Sequence, residues 1–127
     1  MKTIEDLNRL IREEISSIEA LRSEDEKIWS ARRGGVPEVD ATRSKKIRRL
    51  IGGHNDEIVR LRKLIRFVEA TPEEGVQMML DQLQQQVDRI TASADRYKLK
   101  EQKREYMTNA GAQLKHAQIV ELKFLLQ

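Results

Sequence analysis

The sequence predicts an all-α protein: an antiparallel coiled-coil hairpin, a third long helix and a short C-terminal helix, together an elongated helical bundle. Three observations predict this fold. Apolar residues recur at alternating intervals of three and four, and glycine- or proline-rich stretches separate these runs. The composition, with 39 % apolar, 35 % charged and only 4 % aromatic residues in 127, suits long helices with narrow apolar stripes.

The first predicted helix carries a heptad seam and has Thr3 as its N-cap, with Asp6 three residues on. Its apolar seam positions are Ile4, Leu7, Ile11, Ile18, Leu21 and Ile28. Glu14 and Asp25 occupy the two remaining seam positions. We expect each carboxylate either to reach solvent or to pair with the second helix, Glu14 with Arg60 and Asp25 with Arg48 or Arg49.

The stretch "RRGGVPEVDAT", residues 32–42, predicts a turn at about 33–41, because glycine ends helices and Pro37 cannot continue one. The seam then resumes at Ile47, Ile51, His54, Ile58, Leu61, Ile65 and Val68. A turn centred on Val36 places every a position of one helix level with a d position of the other. The sequence therefore predicts an antiparallel hairpin over 1–70, with residues 71–127 as a second region.

Gly52 and Gly53 fall in the middle of the second helix, at positions b and c, beside the seam rather than in it. Two such glycines cost about 2 kcal/mol relative to alanine. One interpretation is a bend, or a helix end that restarts at Asn55. The other is a hinge or close-approach site, where the backbone of a third helix or of a partner comes near.

"EATPEEG", residues 69–75, predicts the start of the third helix, with Thr71 as N-cap and Pro72 at the first helical position. Its seam is Val76, Leu80, Leu83, Val87, Ile90, Ala94 and Tyr97. Extended to about residue 107, this helix would be ~54 Å long. Residues 107–113 predict either a turn at Asn109 or Gly111 or a weak point in one continuous helix.

The C-terminal stretch "LKHAQIVELKFLLQ" is apolar on more than one face. It either folds back on the third helix or docks on another chain, which would make the protein a homo-oligomer, a dimer or higher. The candidate oligomer contacts are Leu114, Ile119, Val120, Leu122, Phe124 and Leu125.

Positive charge is concentrated in residues 41–70, which hold nine basic and three acidic side chains within a chain of net charge +3. Two interpretations are open. The cations pair with the acidic residues of the first helix, or they form a binding surface for nucleic-acid phosphates or an acidic protein. The candidate contacts are Arg43, Lys45, Lys46, Arg49 and Lys63.

Other function classes lack their sequence signals. The chain has no cysteine, and no phosphate-binding loop, zinc spacing or nucleophile elbow is present. We interpret His54 as a polar residue that sets the register of the seam. The N-terminus lacks a signal peptide, and no run is long enough to span a membrane. We therefore expect a cytoplasmic protein that is not an enzyme, with no cofactor, metal or membrane partner and a protein partner instead.

Overall fold

The computed structural model describes residues 1–30 and 38–127, apart from the side chain of Val39. Over these residues the chain forms five α-helices and no strand, which confirms the all-α prediction. The helices are α1 (Ile4–Ser30), α2 (Glu38–Ala70), α3 (Glu73–Ala94), α4 (Lys100–Asn109) and α5 (Ala112–Leu126). None of these helices is long and apolar enough to cross a membrane. The predicted turn centre, Val36, lies outside the described residues.

The chain divides into two compact units. The first unit is Thr3–Glu69, which holds α1 and nearly all of α2. The second unit joins Met1–Lys2 to Ala70–Gln127 and holds α3, α4 and α5.

In the first unit, α1 begins with the predicted cap. The Asp6 N–H donates to the Thr3 hydroxyl at 3.1 Å, and the Thr3 N–H donates to the Asp6 carboxylate at 2.9 Å. This reciprocal pair satisfies two backbone N–H groups that a helix start leaves without partners. The helix therefore begins where its sequence predicts.

Burial in the first unit follows the predicted seam. The buried apolar residues on the predicted seam are Leu7, Ile11 and Ile18 in α1, and Ile47, Ile58 and Leu61 in α2. Leu64 is also buried, although the seam predicted Ile65 in its place, and Ile65 is half-buried. The remaining apolar seam positions are half-buried except Ile4, which lies exposed at the first position of α1. The spacing of three and four residues thus identifies the interior faces of both helices.

Side-chain contacts between α1 and α2 run in opposite order along the two helices. Glu14 contacts His54, whereas Asp25, later in α1, contacts Ser44, earlier in α2. Asp25, which the predicted register places level with Ile47, contacts Ser44 and Arg48 on either side of it. These contacts are compatible with an antiparallel coiled-coil hairpin.

The predicted turn was too long at its C-terminal end. α2 begins at Glu38, so residues 38–41 are helical rather than part of a turn over 33–41. Glu38 and Asp40 place negative charge in the first turn of α2, where it interacts favourably with the helix dipole. This interaction favours a helix start within the predicted turn.

In the second unit, α3 starts one residue later than predicted. Pro72, rather than Thr71, is the N-cap residue, and no side chain caps the helix. The Thr71 methyl group would lie only 3.1 Å from a Cβ added at Gly75, so a larger residue at 75 would push against it.

The long third helix is wrong, because α3 ends at Ala94 and α4 starts only at Lys100. After Ala94 the hydrogen bonds shorten to a spacing of three residues. The Arg96 N–H donates to the Ser93 carbonyl, and the Tyr97 N–H donates to the Ala94 carbonyl. The seam turns polar beyond Tyr97, so a straight continuation has no apolar stripe to bury. The break lets α4 pack on α3 instead, with the Tyr97 and Tyr106 rings 5.5 Å apart.

A turn at Gly111 separates α4 from α5, as one of the two interpretations predicted. Gly111 has φ +73°, a left-handed conformation that glycine adopts without steric cost. α5 then packs on α3 and α4, and Ile119, Leu122 and Leu125 are buried. The Lys2 N–H donates to the Leu125 carbonyl at 2.6 Å, and the Lys2 ammonium group lies 4.8 Å from the Phe124 ring centroid.

Candidate functional site

The five candidate cations of α2 lie in two different environments. Arg43 forms an ion pair with Glu24 of α1 at 2.9 Å, the internal pairing that the acidic first helix allows. The other four are exposed, and within the described ranges none of them contacts an acidic side chain: Lys45, Lys46, Arg49 and Lys63. Pairing with the acidic residues of α1 therefore explains only Arg43. The other four cations form a positively charged surface on α2.

A polar network lies near the C-terminal end of α1. Ser44 is 2 % exposed, and its hydroxyl group donates to the Asp25 carboxylate and accepts from Trp29 Nε1 at 2.9 Å. Arg48 adds its charge, with Nε 3.6 Å from Asp25 Oδ2 and its guanidinium carbon 5.8 Å from the Trp29 ring centroid. These contacts let a carboxylate occupy a seam position without an unsatisfied buried group.

The hydrogen bond from Ser44 is the largest influence on Asp25, and it lowers the pKa of that carboxyl group below its usual value. The charge of Arg48 and the hydrogen bond from Trp29 act in the same direction, whereas desolvation opposes them. The predicted pairing of Asp25 with Arg48 is confirmed. Ser44 was missed, although it lies one heptad before Ile51 and therefore belongs to the seam.

Glu14 has a different partner from the predicted one. It hydrogen-bonds to Nδ1 of His54, the polar residue of the α2 seam. Arg60, the predicted partner, binds Glu57 one turn earlier in its own helix at 2.9 Å and lowers the pKa of that carboxyl group. Glu14 and His54 thus contact each other across the interface, and both side chains remain partly exposed.

The glycine pair at 52 and 53 does not interrupt α2. α2 runs without a break through Gly52 and Gly53, and both residues are exposed. A Cβ atom added at either position would meet no described atom within 4 Å. The helix end at Asn55 is therefore wrong, and nothing described in the chain approaches the glycines closely enough to require them.

A groove of about 450 Å³ runs between α1 and α2 in the first unit. Its floor includes Ile18 and Ile58, which are buried, and its edges include Ile15 and Val59, which are exposed. Polar residues complete the lining: Glu19, Arg22, Asn55 and Arg62. The apolar lining makes this groove a candidate binding surface that seam analysis did not single out, although Ile15 lies beside the seam.

A second, larger cleft of about 720 Å³ lies at the start of α3 in the second unit. Its lining is acidic, with Glu73, Glu74 and Asp81 beside Met78. Glu73 lies 3.7 Å from the N-terminal amino group. Glu73 and Glu74 lie in the first turn of α3, where carboxylates interact favourably with the helix dipole.

The six candidate oligomer contacts divide by burial. Ile119, Leu122 and Leu125 are buried in their own chain, and Phe124 is half-buried. Leu114 and Val120 are 67 % and 64 % exposed. The part of α5 that is open to another molecule is therefore carried by these two residues.

No known protein family, no curated protein and no solved structure matches this chain. Within residues 1–30 and 38–127, no group of three or more His, Cys, Asp or Glu side chains is arranged to hold a metal ion.

Proposed function

We propose that this chain is a non-catalytic helical interaction protein, an adaptor, scaffold or inhibitor that self-associates and binds a macromolecular partner. In this proposal α1 and α2 form an antiparallel coiled-coil hairpin that presents the binding surface, and α5 contributes the contact between copies. The protein acts in the cytoplasm.

The observation that carries the proposal is the pair of exposed apolar residues on α5. Ile119, Leu122 and Leu125 are covered by their own chain. Leu114 and Val120, six residues apart and therefore on different faces of the helix, remain 67 % and 64 % exposed. A helix that is apolar on several faces is normally buried on all of them, so a second molecule is the expected cover.

Light scattering tests the self-association. The double variant Leu114→Glu, Val120→Glu places charge at the two exposed apolar positions of α5. It should lower the mass of the protein in solution toward that of one chain. The matched control is Gln113→Glu, Gln118→Glu, which adds the same charge at exposed polar positions of α5. A wild-type protein with the mass of one chain at every concentration would contradict self-association.

The alternative function is sequence-independent nucleic-acid binding through Lys45, Lys46, Arg49 and Lys63. Their exposure and their lack of acidic partners among the described side chains favour this alternative. A cationic helix face attracts phosphates in a manner that weakens steeply with salt.

A gel-shift experiment with generic duplex DNA tests the alternative. Lys46→Glu with Arg49→Glu should abolish binding, whereas Arg12→Glu with Lys27→Glu, an equal charge change on α1, should leave most of it. No shift of the DNA at low salt would exclude nucleic-acid binding.

A further inference from the structure

The groove between α1 and α2 has an apolar lining suited to binding a helix. Ile18 and Ile58 lie at its floor, and Ile15 and Val59 stand at its edges with 38 % and 50 % of their surface exposed. Four aliphatic side chains in one concave strip offer the type of surface on which an amphipathic helix lays its apolar face.

Two arginines flank this strip in opposite directions. Arg22 follows Ile18 by four residues in α1, and Arg62 follows Ile58 by four residues in α2. Because Glu14 contacts His54 and α1 and α2 run in opposite order, the Cα atoms of the two arginines lie roughly 20 Å apart along the hairpin, one toward each end of the groove. Within the described residues neither arginine has an acidic partner. Glu19 is the one acidic residue in the lining.

Gly52 extends the α2 edge of the groove. It lies three residues before Asn55 and seven before Val59, hence on the same side of the helix. No described atom lies within 4 Å of a Cβ added there, so this fold does not require a glycine. A bare backbone at this edge allows a docked helix to approach closely.

We propose that this groove binds an acidic amphipathic helix of a partner protein, an inference that rests on the proposed interaction function. The apolar side chains of that helix enter between Ile15 and Val59. Carboxylates on the two flanks of that helix contact Arg22 on the α1 edge and Arg62 on the α2 edge. A basic residue on the outer flank of the helix faces Glu19.

Charge selects this partner over two others. A second copy of the chain, docked by two-fold symmetry, would bring an arginine-flanked groove against the same groove, with arginine level with arginine. Nucleic acid would satisfy the arginines but would leave the aliphatic floor without an apolar partner. An acidic amphipathic helix offers apolar side chains to the aliphatic floor and carboxylates to the two arginines.

Fluorescence anisotropy with the full chain and a labelled synthetic helix tests the proposal. One peptide carries leucines on one face and glutamates on both flanks of that face, and a second replaces those glutamates with lysine. We expect saturable binding of the glutamate peptide, at least about tenfold tighter than that of the lysine peptide. Val59→Glu should remove this binding because it places a carboxylate in the apolar strip.

A charge exchange supplies the decisive comparison. Arg22→Glu with Arg62→Glu should reverse the preference, so that the lysine peptide binds more tightly. The matched control, Arg49→Glu with Lys63→Glu, reverses two exposed charges of α2 outside the groove lining and should keep the wild-type preference. Circular dichroism melting of each variant verifies that it is folded.

Equal binding of the two peptides, or no saturable binding of either, would overturn the proposal. A fall in particle mass caused by Val59→Glu would also overturn it, because a second copy would then occupy the groove. Displacement of the peptide by duplex DNA would assign the surface to nucleic acid instead. If the peptides fail while Leu114→Glu, Val120→Glu still lowers the mass, the self-associating interaction function stands without this site.

Discussion

At the scale of single residues, Ser44 explains how a carboxylate occupies the seam between two helices. Its hydroxyl group donates to Asp25 and accepts from Trp29, so one small side chain supplies a hydrogen-bond partner to two larger ones. A buried polar group without such partners would cost about 1–3 kcal/mol. The network therefore makes the Asp25 position compatible with burial.

This network predicts a specific dependence of stability on pH. The pKa of Asp25 is lower in the folded chain than in the unfolded chain, so folding favours its ionised form. The resulting stabilisation is present above about pH 4, the unfolded value for aspartate, and is lost as pH falls through the lower folded value. Urea unfolding of wild-type protein should therefore show a steeper loss of stability below about pH 4 than Asp25→Asn does.

The control for this experiment is Glu26→Gln, which removes an exposed neighbouring carboxylate of α1. It should retain the wild-type acid dependence. Part of the slope should remain in Asp25→Asn, because Arg60 also lowers the pKa of Glu57. An acid profile of Asp25→Asn identical to that of wild type would contradict the stabilising role of the network.

At this scale the sequence predicted burial, which follows from apolar periodicity, better than ion pairing, which depends on distances between side chains. The seam spacing predicts most of the buried residues of α1 and α2, though not Ser44 or Leu64, and it places Asp25 beside Arg48. It does not reveal that Arg60 has a nearer acid in its own helix, which leaves Glu14 to His54. Competition between equally charged partners depends on side-chain reach, which a sequence pattern does not encode.

At the scale of elements, α2 illustrates that a helix can tolerate glycines when its seam continues. The seam residues on either side of Gly52 and Gly53 keep their spacing, and the helix is unbroken. Tertiary burial of the apolar face therefore outweighs the low helix propensity of glycine. The apolar period was a better predictor of continuity than the identity of these two residues.

The unbroken helix predicts that alanine stabilises it. Gly52→Ala and Gly53→Ala should each raise the free energy of unfolding by roughly 1 kcal/mol, because neither added Cβ meets a described atom within 4 Å. Gly111→Ala is the contrasting variant and should destabilise the chain, because Gly111 has a positive φ. Urea denaturation measures all three, and lower stability of both α2 variants would show that the glycines serve the fold.

The interruption after α3 is where the sequence prediction at this scale failed. The seam of α3 stays apolar up to Tyr97 and becomes polar afterwards, which indicates a loss of buried surface but not a change of direction. The break depends on α4 finding a place against α3, with Tyr97 meeting Tyr106. A change of chain direction that brings residues nine positions apart into ring contact cannot be inferred from the seam spacing.

At the scale of the whole molecule, α5 holds both buried and exposed apolar residues. Leu125 is 0 % exposed, and α5 packs on α3 and α4. Leu114, in the first turn of α5, is 67 % exposed. The sequence predicted that α5 would either fold back or dock elsewhere, and the packing of its buried side shows that it folds back.

These two leucines should respond differently to truncation. Leu125→Ala should lower the free energy of unfolding by roughly 2–5 kcal/mol, the range for removing a buried leucine side chain. Leu114→Ala should change it by less than about 0.5 kcal/mol at a concentration where the chain is monomeric. Thermal melting of both variants tests this difference. Equal losses of unfolding free energy would mean that exposed Leu114 also stabilises the single chain.

One consequence of the fold concerns α4, which contains no buried residue. A helix that contributes so little apolar surface has little to lose when it opens, so its backbone amides become accessible to solvent deuterium and to proteases by local opening alone. The linker of residues 95–99 and the turn at Gly111 bound this helix on both sides. α4 is therefore the segment of the second unit where transient unfolding starts, while α3 and α5 stay closed around Leu125.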